Sequence, residues 1–173
     1  ASLVWNNASG DGLWNNNASQ NWSNTVTSAS ADVFEQYDSV LLDDSIETAA
    51  NPTTTLDVSE DVEPSVLTVN STTNYTIGGA GAITGGASIV KDGSSTLTIS
   101  NANSFTGEVT VNGGTLHIAT ANALGTADGG TLIASNTTLD IDGVGNVAIT
   151  EPVTVAGAGV AGEGVILNRG APE

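Results

Sequence analysis

Three five-residue segments decide the fold: STLTI at residues 95–99, GTLHI at 114–118 and TTLDI at 137–141. Each segment alternates polar and apolar residues, with Leu and then Ile at the two apolar positions. The leucines Leu97, Leu116 and Leu139 are 19 and 23 residues apart, and the connections between them are rich in Gly, Asn and Thr. Short alternating strands that recur about every 20 residues are typical of a β-solenoid, in which stacked coils close a shared core.

The rest of the chain supports an all-β fold. Further short apolar alternations follow one another between residues 74 and 168, and no helical period of 3.6 residues persists for ten positions. Gly pairs such as Gly113-Gly114 supply the backbone conformations that sharp corners require. At about 20 residues per coil, the chain after the first strands provides about six or seven coils. At about 4.8 Å per coil, the rod is about 30 Å long.

Two parts of one domain are predicted. Residues 1–27 hold all three tryptophans among many asparagines, and we predict that they form an N-terminal cap. Residues 28–173 are predicted to form the solenoid coils. Within this second part, Ala31 to Tyr37 allows a short helical turn.

The composition limits the possible partners. The chain has 2 basic and 19 acidic residues, a net charge of −17, so nucleic acid and anionic lipid are poor partners. There is no Cys, which excludes disulfides and thiol chemistry. No apolar run reaches the roughly 18 residues of a membrane span. The start at Ala1-Ser2 resembles what a signal peptidase leaves behind, so we expect an exported protein.

One stretch resembles a known family. Residues Ile89 to Gly125, IVKDGSSTLTISNANSFTGEVTVNGGTLHIATANALG, are similar to the passenger-associated repeat of bacterial autotransporters and related exported β-helix proteins. Residues Thr138 to Gly170 resemble the coils that usually follow. The resemblance implies a secreted, right-handed parallel β-helix at the bacterial surface or outside the cell. It says little about activity, because a fold does not determine a function.

The polar residues do not assemble a catalytic centre. His117, the only histidine, is flanked by Leu116 and Ile118 and should point outward from its strand. One His and no Cys cannot build a Ser–His–Asp triad or a zinc site. The only cations, Lys91 and Arg169, look like coil corners far apart in the chain. Although two carboxylates on one coil face could serve glycoside hydrolysis, we predict no enzymatic activity and no cofactor.

A calcium loop was considered for Asp140-Ile141-Asp142-Gly143, because alternating carboxylates suit an oxygen-rich cage. The next carboxylate is Glu151, too far along for such a loop. A coil corner is therefore favoured, and no metal site is predicted.

The three tryptophans allow two interpretations. Trp5, Trp14 and Trp22 could stack on sugar rings, with neighbouring Asn side chains bonding to hydroxyls. Alternatively, they close the open N-terminal end of the solenoid, and this interpretation is favoured because the chain has few other large apolar residues.

The sequence therefore predicts a non-enzymatic, exported structural or adhesive β-solenoid. The open ends of such a rod expose unpaired backbone groups, so head-to-tail self-association into a surface filament is expected. The alternative is a carbohydrate-binding module that uses the tryptophans to hold a cell-surface or extracellular glycan, perhaps as an appendage of a polysaccharide-active enzyme.

Overall fold

Short strands arranged in two sheets make up most of the computed structural model, which describes residues 1–141, 149 and 151–168. The nine-stranded sheet contains β1 (Ser2–Trp5), β3 (Trp22–Asn24), β4 (Ala29–Asp32), β5 (Ser39–Asp43), β7 (Val66–Asn70), β9 (Ser88–Asp92), β11 (Val109–Val111), β13 (Thr131–Ile133) and β15 (Val153–Val155). The seven-stranded sheet contains β2 (Leu13–Trp14), β6 (Thr55–Val58), β8 (Tyr75–Gly78), β10 (Thr96–Ile99), β12 (Thr115–Ile118), β14 (Thr138–Ile141) and β16 (Ile166–Asn168). Two short 3₁₀ turns span Asp44–Thr48 and Val160–Gly162.

The chain winds as a parallel solenoid. From β5 onward, successive strands alternate between the two sheets, and each strand pairs in parallel with the strand of the next coil. Together with β1 and β2, the described residues form seven coils. This confirms the predicted all-β, parallel β-solenoid. The predicted strand Val147 to Ile149 falls mainly outside the described residues.

A third, less regular side completes each coil. Val62 forms an isolated parallel bridge with Ile83 on this side. Farther along the stack, the Ser104 amide donates to the Ile83 carbonyl at 3.0 Å, and the Thr126 amide donates to the Phe105 carbonyl at 2.9 Å. The cross-section is therefore three-sided, and backbone hydrogen bonds join the coils on every side.

Aliphatic columns fill the interior. Leu97, Leu116 and Leu139 lie in register on neighbouring strands, as the sequence predicts, and all three are fully buried. The isoleucines two positions later are in register in the same way. Each coil places its apolar residues over those of the next, so a single apolar core runs along the stack.

The N-terminal end departs from the parallel winding. Strand β3 runs antiparallel to β1, and β4 folds back antiparallel to β3, so that this hairpin lies beyond the first coil. We call β3 and β4 the capping hairpin. The predicted boundary between residues 27 and 28 lies in the turn that joins its two strands.

The prediction of a helical turn at Ala31 to Tyr37 is wrong. Ala31 and Asp32 belong to β4, where Asp32 is in register with Trp22. The 3₁₀ turn lies instead at Asp44–Thr48, where the Asp43 carboxylate accepts a hydrogen bond from the Ser45 amide at 3.0 Å. A side-chain acceptor of this kind satisfies a backbone donor at the start of a helical turn.

Candidate functional site

Four aromatic side chains meet at the N-terminal end of the stack. The Trp22 ring centroid is 5.0 Å from that of Trp5 and 5.4 Å from that of Trp14, and the Phe34 ring is 5.6 Å from Trp14. These three pairs have interplanar angles of 67–83°, the edge-to-face geometry that aromatic pairs prefer. We call these four residues the aromatic cluster. It joins the capping hairpin to the first coil.

The aromatic cluster is sealed from solvent. All four side chains are 0% exposed. The indole N–H of Trp5 donates to the Thr53 carbonyl at 2.9 Å, whereas those of Trp14 and Trp22 have no hydrogen-bond partner among the described residues. No ring face is open to a ligand, and this placement is the one expected of a cap. The carbohydrate-binding hypothesis for Trp5, Trp14 and Trp22 stays a prediction that the buried rings do not support.

The asparagines beside the aromatic cluster bond within the protein. The side chain of Asn7 accepts from the Gly12 amide at 2.9 Å and donates to the Asn51 carbonyl at 2.9 Å. The side chain of Asn21 accepts from the Ser9 amide and donates to the Leu13 carbonyl. Both residues are buried. Their amides therefore fix the loops of the first coil, where the sequence also allowed contacts with sugar hydroxyls.

Asp44 marks a second group of interacting polar residues, at the corner between coils two and three. Its carboxylate accepts hydrogen bonds from the Ser71 hydroxyl, the Thr72 amide and hydroxyl, and the Thr73 amide. The bond from Ser71, with the others, lowers the pKa of Asp44 to about 2. Because its oxygens are engaged by these donors, Asp44 holds two coils together and is not free to act as a base.

Tyr75 lies beside this corner. Its hydroxyl donates to the Asp43 carbonyl at 2.7 Å. Burial raises the pKa of the Tyr75 hydroxyl well above its usual range, and the carboxylates of Asp43 and Asp44 add to the shift. The phenol therefore stays protonated and serves as a fixed hydrogen-bond donor.

His117 lies in β12, half-buried, in register between Thr98 and Asp140. Asp140 is buried in β14, while Asp142 and Gly143 of the considered calcium loop lie outside the described residues. Within the part of the chain that the structure describes, no three His, Cys, Asp or Glu side chains are grouped to hold a metal ion.

A shallow groove of about 230 Å³ crosses coils five to seven. Its lining consists of Glu108, Gly129, Gly130, Thr131, Leu132, Pro152 and Thr154. Among these residues Glu108 supplies the one carboxylate, whereas glycoside hydrolysis uses a pair. The groove therefore does not contain the arrangement of that reaction.

Sequence reasoning missed Phe34 and Asp44. Phe34 lies in an acidic stretch with no clear alternation, so nothing in its neighbourhood links it to the tryptophans. Asp44 follows Asp43, and the pair looks like ordinary solvated charge. The run Ser71-Thr72-Thr73 is a weak signal, because clustered hydroxyls and amides can surround an anion.

Comparison with known proteins gives one match. The family model described as passenger-associated-transport-repeat matches residues 89–118, which correspond to β9–β12 and thus to coils four and five. No curated protein and no solved structure gives a significant match.

No helix in the described part of the chain is long and apolar enough to cross a membrane. The matched family is a passenger repeat rather than an enzyme family, and it implies an exported protein. The chain is thus a parallel β-solenoid that carries a passenger-associated transport repeat at residues 89–118.

Proposed function

We propose that the chain is a non-enzymatic structural module that works outside the cell or at its surface as a rigid, acidic rod. One observation carries the proposal: the coils stack in register on every side around one apolar core. Such stacking leaves little freedom for one coil to move relative to the next. The module then holds whatever it is joined to at a fixed distance and orientation.

The placement of the polar groups supports a structural role. The buried carboxylates and amides at the cap and at the Asp44 corner bond to backbone and hydroxyl groups of neighbouring coils. The net charge of −17 favours solubility and opposes unspecific association with other acidic surfaces.

The two ends of the rod differ, and this bears on the proposed self-association. The capping hairpin and the aromatic cluster cover the N-terminal end. At the other end, β15 and β16 are the last described strands of their sheets, and Val155, Val160 and Ile166 are 46%, 38% and 49% exposed. We propose that contacts between copies, where they form, involve the strands of this C-terminal end. Head-to-tail stacking would require an edge at both ends.

Spin labels at the two ends test the rigidity of the rod. Ser23 and Thr154 lie at opposite ends of one outward-facing column of the nine-stranded sheet, seven strand spacings apart. Because the chain has no Cys, Ser23→Cys with Thr154→Cys places two labels cleanly. We expect one narrow distance distribution centred at about 34 Å, from about 4.8 Å per strand. A broad or multiple distribution would contradict a rigid rod.

Single-label variants test self-association in the same experiment. Thr154→Cys alone should give a short intermolecular distance where C-terminal ends meet, and Ser23→Cys alone should give none. A short distance from Ser23→Cys would instead indicate contacts at the capped end. Binding of the unmodified protein to a glycan array would support the carbohydrate alternative, on a surface other than the buried indole rings.

A further inference from the structure

Lys91 breaks the aliphatic pattern of the interior. It lies in β9, in register between Val69 and Val111, at a position where the stack otherwise places valines. Its side chain is 0% exposed, so the ammonium group is inside the solenoid. The sequence suggested a coil corner for this residue and gave no reason to expect its burial.

Backbone carbonyls surround the buried ammonium. The Lys91 Nζ donates to the carbonyl oxygens of Asp92 at 2.7 Å, Gly93 at 3.2 Å and Gly113 at 3.2 Å. An ammonium has three donors, and each finds an acceptor here. Asp92 and Gly93 belong to coil four and Gly113 to coil five, so the ammonium bridges two consecutive coils.

Two glycines allow the carbonyls to approach. A Cβ on Gly113 would lie 2.5 Å from the Gly93 carbonyl oxygen, and a Cβ on Gly93 would lie 2.4 Å from the Ser71 carbonyl oxygen. Gly93 also has a φ of 69°, a conformation that side chains disfavour. The turns of neighbouring coils are therefore packed closely enough to bring oxygens of both coils to one nitrogen.

The charge is balanced by dipoles. No carboxylate of the described residues forms an ion pair with Lys91, and the Asp92 carboxylate accepts instead from the Asn112 side chain at 3.0 Å. Burial lowers the pKa of Lys91 to about 8, against an opposing effect of Asp92. The amine is thus still charged at neutral pH, in a ring of hard oxygen donors that suits a small cation.

We propose that the carbonyls of Asp92, Gly93 and Gly113 form a cation site that the chain fills with its own ammonium group, and that this ammonium fixes coil five on coil four. The site accepts a small primary alkylammonium ion when the lysine side chain is removed. This inference does not depend on the role of the rod outside the cell.

The test uses Lys91→Ala in the whole chain, with n-propylammonium chloride as the probe, because propylammonium replaces the atoms that the substitution removes. The readouts are the urea midpoint and hydrogen exchange of the Asn112 amide, which donates to the Lys91 carbonyl at 2.8 Å. We expect exchange to accelerate by at least about tenfold in the variant and to slow again with propylammonium. Equal concentrations of tetramethylammonium chloride, which screens charge but cannot donate, should have no such effect.

Lys91→Met is the matched variant, since it fills the apolar space without a donor. It should exchange faster than the wild type at Asn112 and should not respond to propylammonium. Wild-type exchange in Lys91→Met, or equal recovery of Lys91→Ala by the two salts, would overturn the proposal. Should Lys91→Ala not fold, Lys91→Met and the wild-type ammonium decide: its ¹⁵N-coupled protons should be visible at pH 7, and their absence would also overturn it.

Discussion

Single carboxylates in this chain act as connectors between coils. Asp44 shows the principle most clearly, because one side chain accepts hydrogen bonds from three successive residues of the next coil, Ser71, Thr72 and Thr73. Hydrogen bonds to the ionised form favour that form, and the pKa of Asp44 falls from 3.8 to about 2. The charge of Asp44 therefore contributes to the stability of the fold.

Acidification should remove this contribution. Because the folded pKa is lower than the unfolded one, the contribution of Asp44 is fully present above about pH 4 and is lost as the pH falls to about 2. In Asp44→Asn, we expect a lower urea midpoint than in the wild type at pH 7. The difference between the two proteins should shrink between pH 4 and pH 2.

Asp57→Asn provides the control, because Asp57 is an exposed carboxylate of the same acidic stretch. Its urea midpoint should follow that of the wild type across this pH range. A constant difference between Asp44→Asn and the wild type from pH 7 to pH 2 would show that the Asp44 charge is not what stabilises the corner.

Among the elements, the corners between strands depend on residues without side chains. A Cβ on Gly107 would lie 2.2 Å from the Ala87 carbonyl oxygen of the preceding coil, whereas a Cβ on Gly86 would meet nothing within 4 Å. Neither glycine has a positive φ, so Ala suits the backbone conformation of both. The two positions thus separate close packing from conformational freedom.

Gly107→Ala should lower the free energy of unfolding by about 1–3 kcal/mol, since the coils must separate to admit the methyl group. Gly86→Ala should leave it unchanged or raise it by about 0.4–1 kcal/mol, because the unfolded chain loses freedom. Urea unfolding of the two variants checks the prediction. Equal stability of the two would mean that the coils are not packed as closely at Gly107 as the structure shows.

The cap is the second element whose contribution can be measured. Trp22 contacts Trp5, Trp14 and Phe34, so Trp22→Ala should cost about 3–5 kcal/mol of stability. Tyr37 is 68% exposed, and Tyr37→Ala should change stability by less than about 0.5 kcal/mol. A Trp22→Ala variant as stable as Tyr37→Ala would show that the aromatic cluster does not hold the capping hairpin.

The strands were predictable where two periods agree. In β10, β12 and β14, the alternation of apolar residues and the spacing of about 20 residues give the same register, so the columns of Leu97 and Ile99 follow from the sequence. The turn at Ala31 was mistaken because a short stretch of weak alternation fits a strand or a helical turn equally well. Only its pairing with Trp22 decides between them.

The candidate site was less predictable than the strands. The sequence singled out Trp5, Trp14 and Trp22 and favoured a cap, but it could not join Phe34 to them across the turn of the hairpin. Lys91 was misplaced for a related reason. Its burial depends on carbonyl oxygens of another coil, and backbone groups leave no trace in the residue types.

On the scale of the whole molecule, stability is not uniform along the rod. The central coils pair on both sides, whereas β15 and β16 pair on one side among the described residues. We expect the amides of β9 and β10 to exchange at least about 100-fold more slowly than those of β15 and β16. Hydrogen exchange followed by NMR measures both sets, and equal protection would contradict an open C-terminal end.

The capping hairpin also has a consequence for how the chain folds. Its two strands pair within a few residues of each other, whereas every coil must bring together segments about 20 residues apart, at a higher entropic cost. The hairpin end is therefore the natural nucleus, and the rest is expected to zip onto it one turn of the spiral at a time. A chain shortened after any complete turn would keep its nucleus and form a shorter rod.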